Sequence, residues 1–98
     1  MKLLSEILTS TEVLSFTATG EVQITGLTYD SRRVSKGDCF FAVRGTQSDG
    51  HNYIGKAIEA GAAAIVCEQL PEQLNGEVSY IVVRDTNSAM ADIAAAYY

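Results

Sequence analysis

The 98-residue sequence predicts a single small α/β domain with a mixed sheet of four or five strands and packed helices. Three observations predict it. Short apolar runs, Cys39 to Val43, Ala62 to Cys67 and Val78 to Val83, alternate with segments whose apolar residues recur at helical spacing. Glycines and polar clusters mark the boundaries between them. The length suits one hydrophobic core, and 47% hydrophobic with 19% charged residues is the balance of a folded chain rather than a disordered one.

Leu3, Leu4, Ile7 and Leu8 share one face of a short amphipathic helix that the polar run Thr9 to Glu12 ends. Glu21 to Tyr29 alternates, with Val22 and Ile24 on one face, and reads as one strand or as two joined at Gly26, a bulge or a point of close approach. Asp38 to Arg44 is apolar on both faces and is expected to be a central strand. Tyr53, Ile54, Ala57 and Ile58 then mark the clearest helix, capped by Asp49 or Asn52 and closed by Gly61. Ala62 to Cys67 reads as a buried strand, Gln69 to Gly76 as a polar connection holding the only proline, and Val78 to Val83 as a further strand. Ala89, Met90, Ile93, Ala94 and Tyr97 define a last helix capped by Asp85 or Thr86. It reaches Tyr98 without a stop signal, which suggests truncation, and Tyr97 and Tyr98 read as core or domain-junction residues.

A net charge of −5 and a pI near 4.6 leave no broad basic surface for phosphate neutralisation, so nucleic acid is not an expected partner. Cys39 and Cys67 lie in apolar runs without CxxC spacing and read as buried free thiols of a reducing, cytoplasmic protein. No run approaches the ~18 apolar residues of a membrane span, and the N-terminus turns polar too early for a signal peptide.

The stretch from Tyr29 to His51 holds four of the seven cationic residues against three acids, in a chain that is acidic elsewhere. Two polar segments, Asp30 to Gly37 and Gly45 to Gly50, flank the apolar run, and loops of this kind are where ligands bind. Gly45 to Gly50 has the glycine spacing of a phosphate loop, but His51 and Asn52 stand where the lysine and the Mg²⁺-binding hydroxyl are required, which excludes ATP. Two readings of this loop stay open: backbone N–H groups offered to an anion, or a turn with an N-cap. In Asp30-Ser31-Arg32 the serine can exchange a hydrogen bond with a ligand, while the aspartate orders the turn or pairs with Arg32 or Arg33. His51, the one histidine, has no nucleophile or ligand partner in the sequence pattern and reads as structural. No catalytic triad, paired-carboxylate arrangement or metal motif is recognisable.

The strings Ile24-Thr25-Gly26-Leu27, Tyr29-Asp30-Ser31-Arg32-Arg33-Val34, Gly37-Asp38-Cys39-Phe40-Phe41-Ala42 and Asp49-Gly50-His51 through Ala57-Ile58 to Gly61-Ala62 closely resemble the N-terminal domain of the Mur ligases. The resemblance is strongest to the MurE type, which adds the third stem-peptide residue of peptidoglycan to UDP-N-acetylmuramoyl-dipeptide; the MurF type shares a similar skeleton. It implies that residues 1–98 form a domain holding the UDP end of that substrate. It further implies an ATP- and Mg²⁺-dependent amide-bond-forming ligase whose central ATP-binding and C-terminal domains are absent from this chain; the domain by itself is expected to be monomeric and inactive, and a stand-alone, non-catalytic nucleotide-sugar-binding module is the alternative. By motif position Tyr29, Ser31, Thr46, Gln47 and Ser48 are implied substrate contacts, with Ser31 and Gln47 the firmest. Catalytic residues and metal ligands are not expected in this segment, because the family's TGTNGKT loop does not occur in it.

Overall fold

A computed structural model of the chain describes residues 2–17, 22–45 and 49–98. Its elements are β1 (Lys2–Leu3), α1 (Leu4–Ile7), β2 (Ser15–Thr17), β3 (Gln23–Ile24), β4 (Leu27–Thr28), β5 (Cys39–Phe41), α2 (Ile54–Glu59), β6 (Ala64–Cys67), β7 (Ser79–Val82) and α3 (Thr86–Tyr97). Five strands form one mixed sheet in the order β2-β7-β6-β5-β4, and β1 and β3 form a separate antiparallel pair. β4, β5, β6 and β7 run parallel; β2 is antiparallel to β7 at the far edge.

Alternation along the strands sends side chains to two cores. Cys39, Phe41, Ala64, Val66, Ile81 and Val83 meet Leu4 and Ile7 of α1, Ile24 of β3, and Ala89 and Ile93 of α3 on one face. Phe40, Ala42, Ile65, Cys67 and Tyr80 meet Ile54 and Ala57 of α2 on the other. The domain is therefore three layers, with helices on both faces of a sheet that is buried throughout its middle.

The strand reading from Glu21 to Tyr29 resolves into two strands that serve different sheets. The chain breaks at Thr25 and Gly26 because Gly26 lies against the next strand: its carbonyl accepts from Cys39 N at 2.9 Å, and a Cβ there would sit 2.9 Å from Asp38 Oδ1. The Cys39 strand is interior and buried on both faces, but the middle of the sheet belongs to β6, since the late β7 and the edge strand β2 extend the sheet beyond it. β1 and β2 were not legible in the sequence. β2 is exposed at all three residues and offers no apolar alternation, and β1 is two residues long.

Helix ends follow local chemistry. Asp85 caps α3 by accepting from Asn87 N and Ser88 N at 3.0 and 3.4 Å. Gly61 follows α2 with φ +112°, where a Cβ would lie 2.8 Å from Lys36 Cα, so only glycine fits that exit. Tyr97 packs on the first core, whereas Tyr98 is exposed and meets Tyr97 edge-on at 4.8 Å. No helix among the described residues is long and apolar enough to cross a membrane.

Candidate functional site

The two motif-bearing loops meet because β4 and β5 are parallel neighbours. The Tyr29 to Arg33 turn leaves the carboxyl end of β4, and the loop from Ala42 to Gly50 leaves the carboxyl end of β5, so both open at the same end of the sheet. Ligands of parallel α/β sheets bind outside that end. Between the loops lies a cavity of about 500 Å³, lined among others by Tyr29, Ser31, Arg32, Gly45, Tyr53 and Lys56, with buried Phe40 forming part of its wall.

Each loop is ordered by an aspartate that caps one turn of 3-10 helix. Asp30 accepts from Arg32 N at 2.9 Å and holds the Arg32 guanidinium through Nε and Nη2 at 3.1 and 3.0 Å. That side-chain hydrogen bond from Arg32, with the backbone one, keeps the Asp30 carboxyl below the ordinary value of 3.8. Asp49 accepts from His51 N at 2.9 Å at the start of the Gly50–Tyr53 turn. The backbone hydrogen bond from His51, then the side-chain one, lowers its carboxyl likewise.

His51 is structural, as its sequence context indicates. Its Nε2 accepts the Glu68 backbone N–H at 2.9 Å, so the ring proton sits on Nδ1 and is donated to Asp49 Oδ1 at 2.6 Å. Glu68 in turn accepts from Thr86 N at 3.0 Å, and Arg44 Nε reaches Glu68 Oε1 at 3.5 Å and Asp49 Oδ2 at 3.7 Å. The second loop is thereby tied to the exit of β6 and the start of α3.

The base of that loop is closed by an Arg44–Asp49 bridge and by Gly50 N donating to Val43 O at 2.7 Å. This closure bears on the two readings at the helix start. Gly50 N, His51 N and Asn52 N are all spent internally, on Val43 O, Asp49 Oδ1 and Asp49 O, so they offer an anion nothing. Of the two readings, the anion-holding one is therefore not met by these three N–H groups. The loop there is a turn with an N-cap.

Tyr29 and Ser31 line the cavity, Tyr29 largely exposed and Ser31 half-buried in the first turn. Thr46, Gln47 and Ser48 lie outside the described residues, although Gly45 and Gly50 on either side of them line the cavity. Tyr53 and Lys56 also line it and were missed. Tyr53 was assigned to the apolar face of the helix, but it sits in the 3-10 turn and is exposed, with Lys56 Nζ 5.7 Å from its ring centroid. Their i, i+3 spacing, which makes neighbours of residues on a helical turn, is the signal the sequence carries.

Both cysteines are free and buried. Burial, aided by the neighbouring Asp38 charge, pushes Cys39 up to about 12; burial pushes Cys67 up to about 11. Neither thiol is a nucleophile near neutral pH. Among the described residues no group of three or more His, Cys, Asp or Glu side chains is placed to hold a metal ion.

The fold sets two motif-bearing loops around one cavity at the carboxyl edge of a small α/β domain. A family model described as "Mur ligase family, catalytic domain" matches residues 23–98, and the chain belongs to the Mur ligase family. It is 46% identical over 95 residues to the UDP-N-acetylmuramoyl-L-alanyl-D-glutamate--2,6-diaminopimelate ligase of Bacteroides fragilis, a match covering 97% of this chain and 20% of that protein. The chain thus spans about a fifth of the length of such relatives. Among solved structures, the UDP-N-acetylmuramoylalanyl-D-glutamyl-2,6-diaminopimelate--D-alanyl-D-alanyl ligase of Acinetobacter baumannii superposes with a TM-score of 0.76 at 24% identity, over 94% of this chain and 20% of that one. The MurF ligase of Thermotoga maritima in complex with ADP does so with a TM-score of 0.62 at 29% identity, over 74% and 16%. The expected α/β fold and family are both borne out.

Proposed function

We propose that residues 1–98 are the N-terminal, UDP-substrate-binding domain of a MurE-type ligase. The whole protein then joins diaminopimelate to UDP-N-acetylmuramoyl-L-alanyl-D-glutamate in the cytoplasm. The observation that supports this most directly is that both motif-bearing loops open onto one cavity at the carboxyl end of β4 and β5. The difference between 46% identity to a diaminopimelate ligase and 24–29% to the two MurF-type structures favours the MurE type over the MurF type. In this reading Ser31 hydrogen-bonds the uridine end and Tyr29 flanks it. Thr46, Gln47 and Ser48 supply the closing loop, on motif position alone.

The residues of this chain do not fit ATP and Mg²⁺. His51 and Asn52 replace the required lysine and hydroxyl, and the three N–H groups that would cradle phosphate are consumed within the turn. ATP is assigned instead to a central domain outside this segment, where it would activate the substrate carboxylate for attack by the incoming amine. This domain's contribution is positional: it fixes one end of a long substrate so that the other end is presented to the chemistry.

The test is an assay of the complete reading frame that contains this sequence. It is expected to form the tripeptide from UDP-N-acetylmuramoyl-L-alanyl-D-glutamate only when ATP and diaminopimelate are both present. Ser31→Ala should lower kcat/KM by about 2- to 10-fold, the worth of one hydrogen bond. Preference for lysine as the added amino acid, or for the completed tripeptide as acceptor of a dipeptide, contradicts the assignment.

A further inference from the structure

The cavity has to meet a charged ligand without the backbone donors that helix starts normally provide, since Gly50, His51 and Asn52 have spent theirs. The Arg32 and Arg33 N–H groups are also taken, by Asp30 Oδ1 and Asp30 O at 2.9 Å each. Among the described residues two side-chain cations line the cavity, Arg32 and Lys56. Arg32 is bound through two nitrogens to Asp30, so its charge is already matched. Arg44 is similarly held between Asp49 and Glu68. Lys56 has no carboxylate within ion-pair distance among the described residues; its ammonium rests near the Tyr53 ring, which steadies a cation without neutralising it.

Resting on the uridine-nucleotide reading of this cavity, we propose that Lys56, positioned by Tyr53, is the residue that contacts the diphosphate of the bound nucleotide. Of the two cations that line the cavity among the described residues, it is the one without a carboxylate partner there. In an acidic chain such a lysine also makes the cavity mouth locally attractive to an anion. Lys56 lies on the exposed face of α2, so its replacement leaves both cores untouched.

The experiment measures binding of uridine, UDP and inorganic pyrophosphate to the 98-residue chain at low ionic strength, for the wild type, Lys56→Gln, Lys56→Arg and Arg33→Gln. Lys56→Gln is expected to weaken UDP about 5-fold, the upper range for a solvent-accessible charge pair, and to leave uridine unchanged. Lys56→Arg should restore most of the UDP affinity. Arg33→Gln removes the same unit of net charge away from the lining residues and should change UDP little. Equal losses of uridine and UDP affinity in Lys56→Gln, or equal UDP losses in Lys56→Gln and Arg33→Gln, overturn the assignment. Pyrophosphate binding that needs Lys56 and gains nothing from an attached uridine keeps Lys56 as the anion contact and removes the uridine reading. Uridine and UDP binding that are both indifferent to Lys56 removes Lys56 and keeps that reading. Failure of the wild type to bind any of the three overturns both.

Discussion

The Asp30 and Asp49 turns start from nearly the same backbone, φ −111° and ψ 113° in one cap against −106° and 121° in the other. In each, the aspartate accepts from the N–H two residues on at 2.9 Å. Their surroundings differ. The residue after Asp30 is Ser31, with room for a side chain, and the partners of Asp30 are Arg32 and Arg33, both largely exposed. The residue after Asp49 is Gly50, pressed against the Val43 backbone, and the partners of Asp49 are Arg44 and the largely buried His51, itself fixed by Glu68. One local device therefore serves two purposes: the first turn is an exposed cap that presents a serine, and the second is a clasp joining a loop to two other elements. Similar hydrogen-bond distances do not imply similar energies, because exposed ion pairs contribute little and interlocked, part-buried ones more.

Position two of each turn gives the largest expected contrast. Gly50→Ala places a Cβ 2.6 Å from Val43 N and 2.8 Å from Val43 O, contacts that only a backbone shift relieves. It should cost on the order of 3 kcal/mol in urea unfolding. Ser31→Ala, at the equivalent position, should stay within about 0.5 kcal/mol. Equal stability losses at the two positions would show that the close approach at Gly50 is not what distinguishes the turns.

Removing the caps themselves gives a smaller contrast. Asp49→Ala should cost about 2 kcal/mol, the upper end for an N-cap, since His51 loses its Nδ1 partner as well; Asp30→Ala should cost measurably less. Acid sharpens the same comparison. Both carboxyls titrate below 3.8 in the folded chain, so what they contribute is complete above 3.8 and is lost as the pH falls through their folded values. Unfolding measured across that range should show the acid loss of stability reduced in each variant and reduced more in Asp49→Ala. An unchanged pH profile in Asp49→Ala would show that the clasp carries no linked stability.

The same contrast explains which features are legible in the sequence. The Asp30, Asp49 and Asp85 caps and the Gly61 exit were legible because each is decided by a few neighbouring residues. The buried strands were legible because both faces of Cys39–Phe41 and Ala64–Cys67 are apolar. The exposed edge strand Ser15–Thr17 left no pattern to find. The motifs pointed to two loops but not to how they meet, since that depends on β4 and β5 pairing in parallel. Nor could the sequence show that Gly50, His51 and Asn52 spend their N–H groups internally, because Val43 must first be folded against Gly50. Lys56 and Tyr53 were passed over for a related reason: they matter through the cavity they share with Ser31, not through any local motif.

The central claim, that the space between the two turns receives a uridine nucleotide-sugar, is tested most directly by titrating the labelled chain and following backbone amide shifts. With UDP-N-acetylmuramoyl-dipeptide, shifts should concentrate in Tyr29 to Arg33 and Gly45 to Lys56, with a dissociation constant around millimolar, about −4 kcal/mol, and ATP should leave both stretches essentially unmoved. Shifts confined to residues outside those two stretches, or an equal response to ATP, would contradict it.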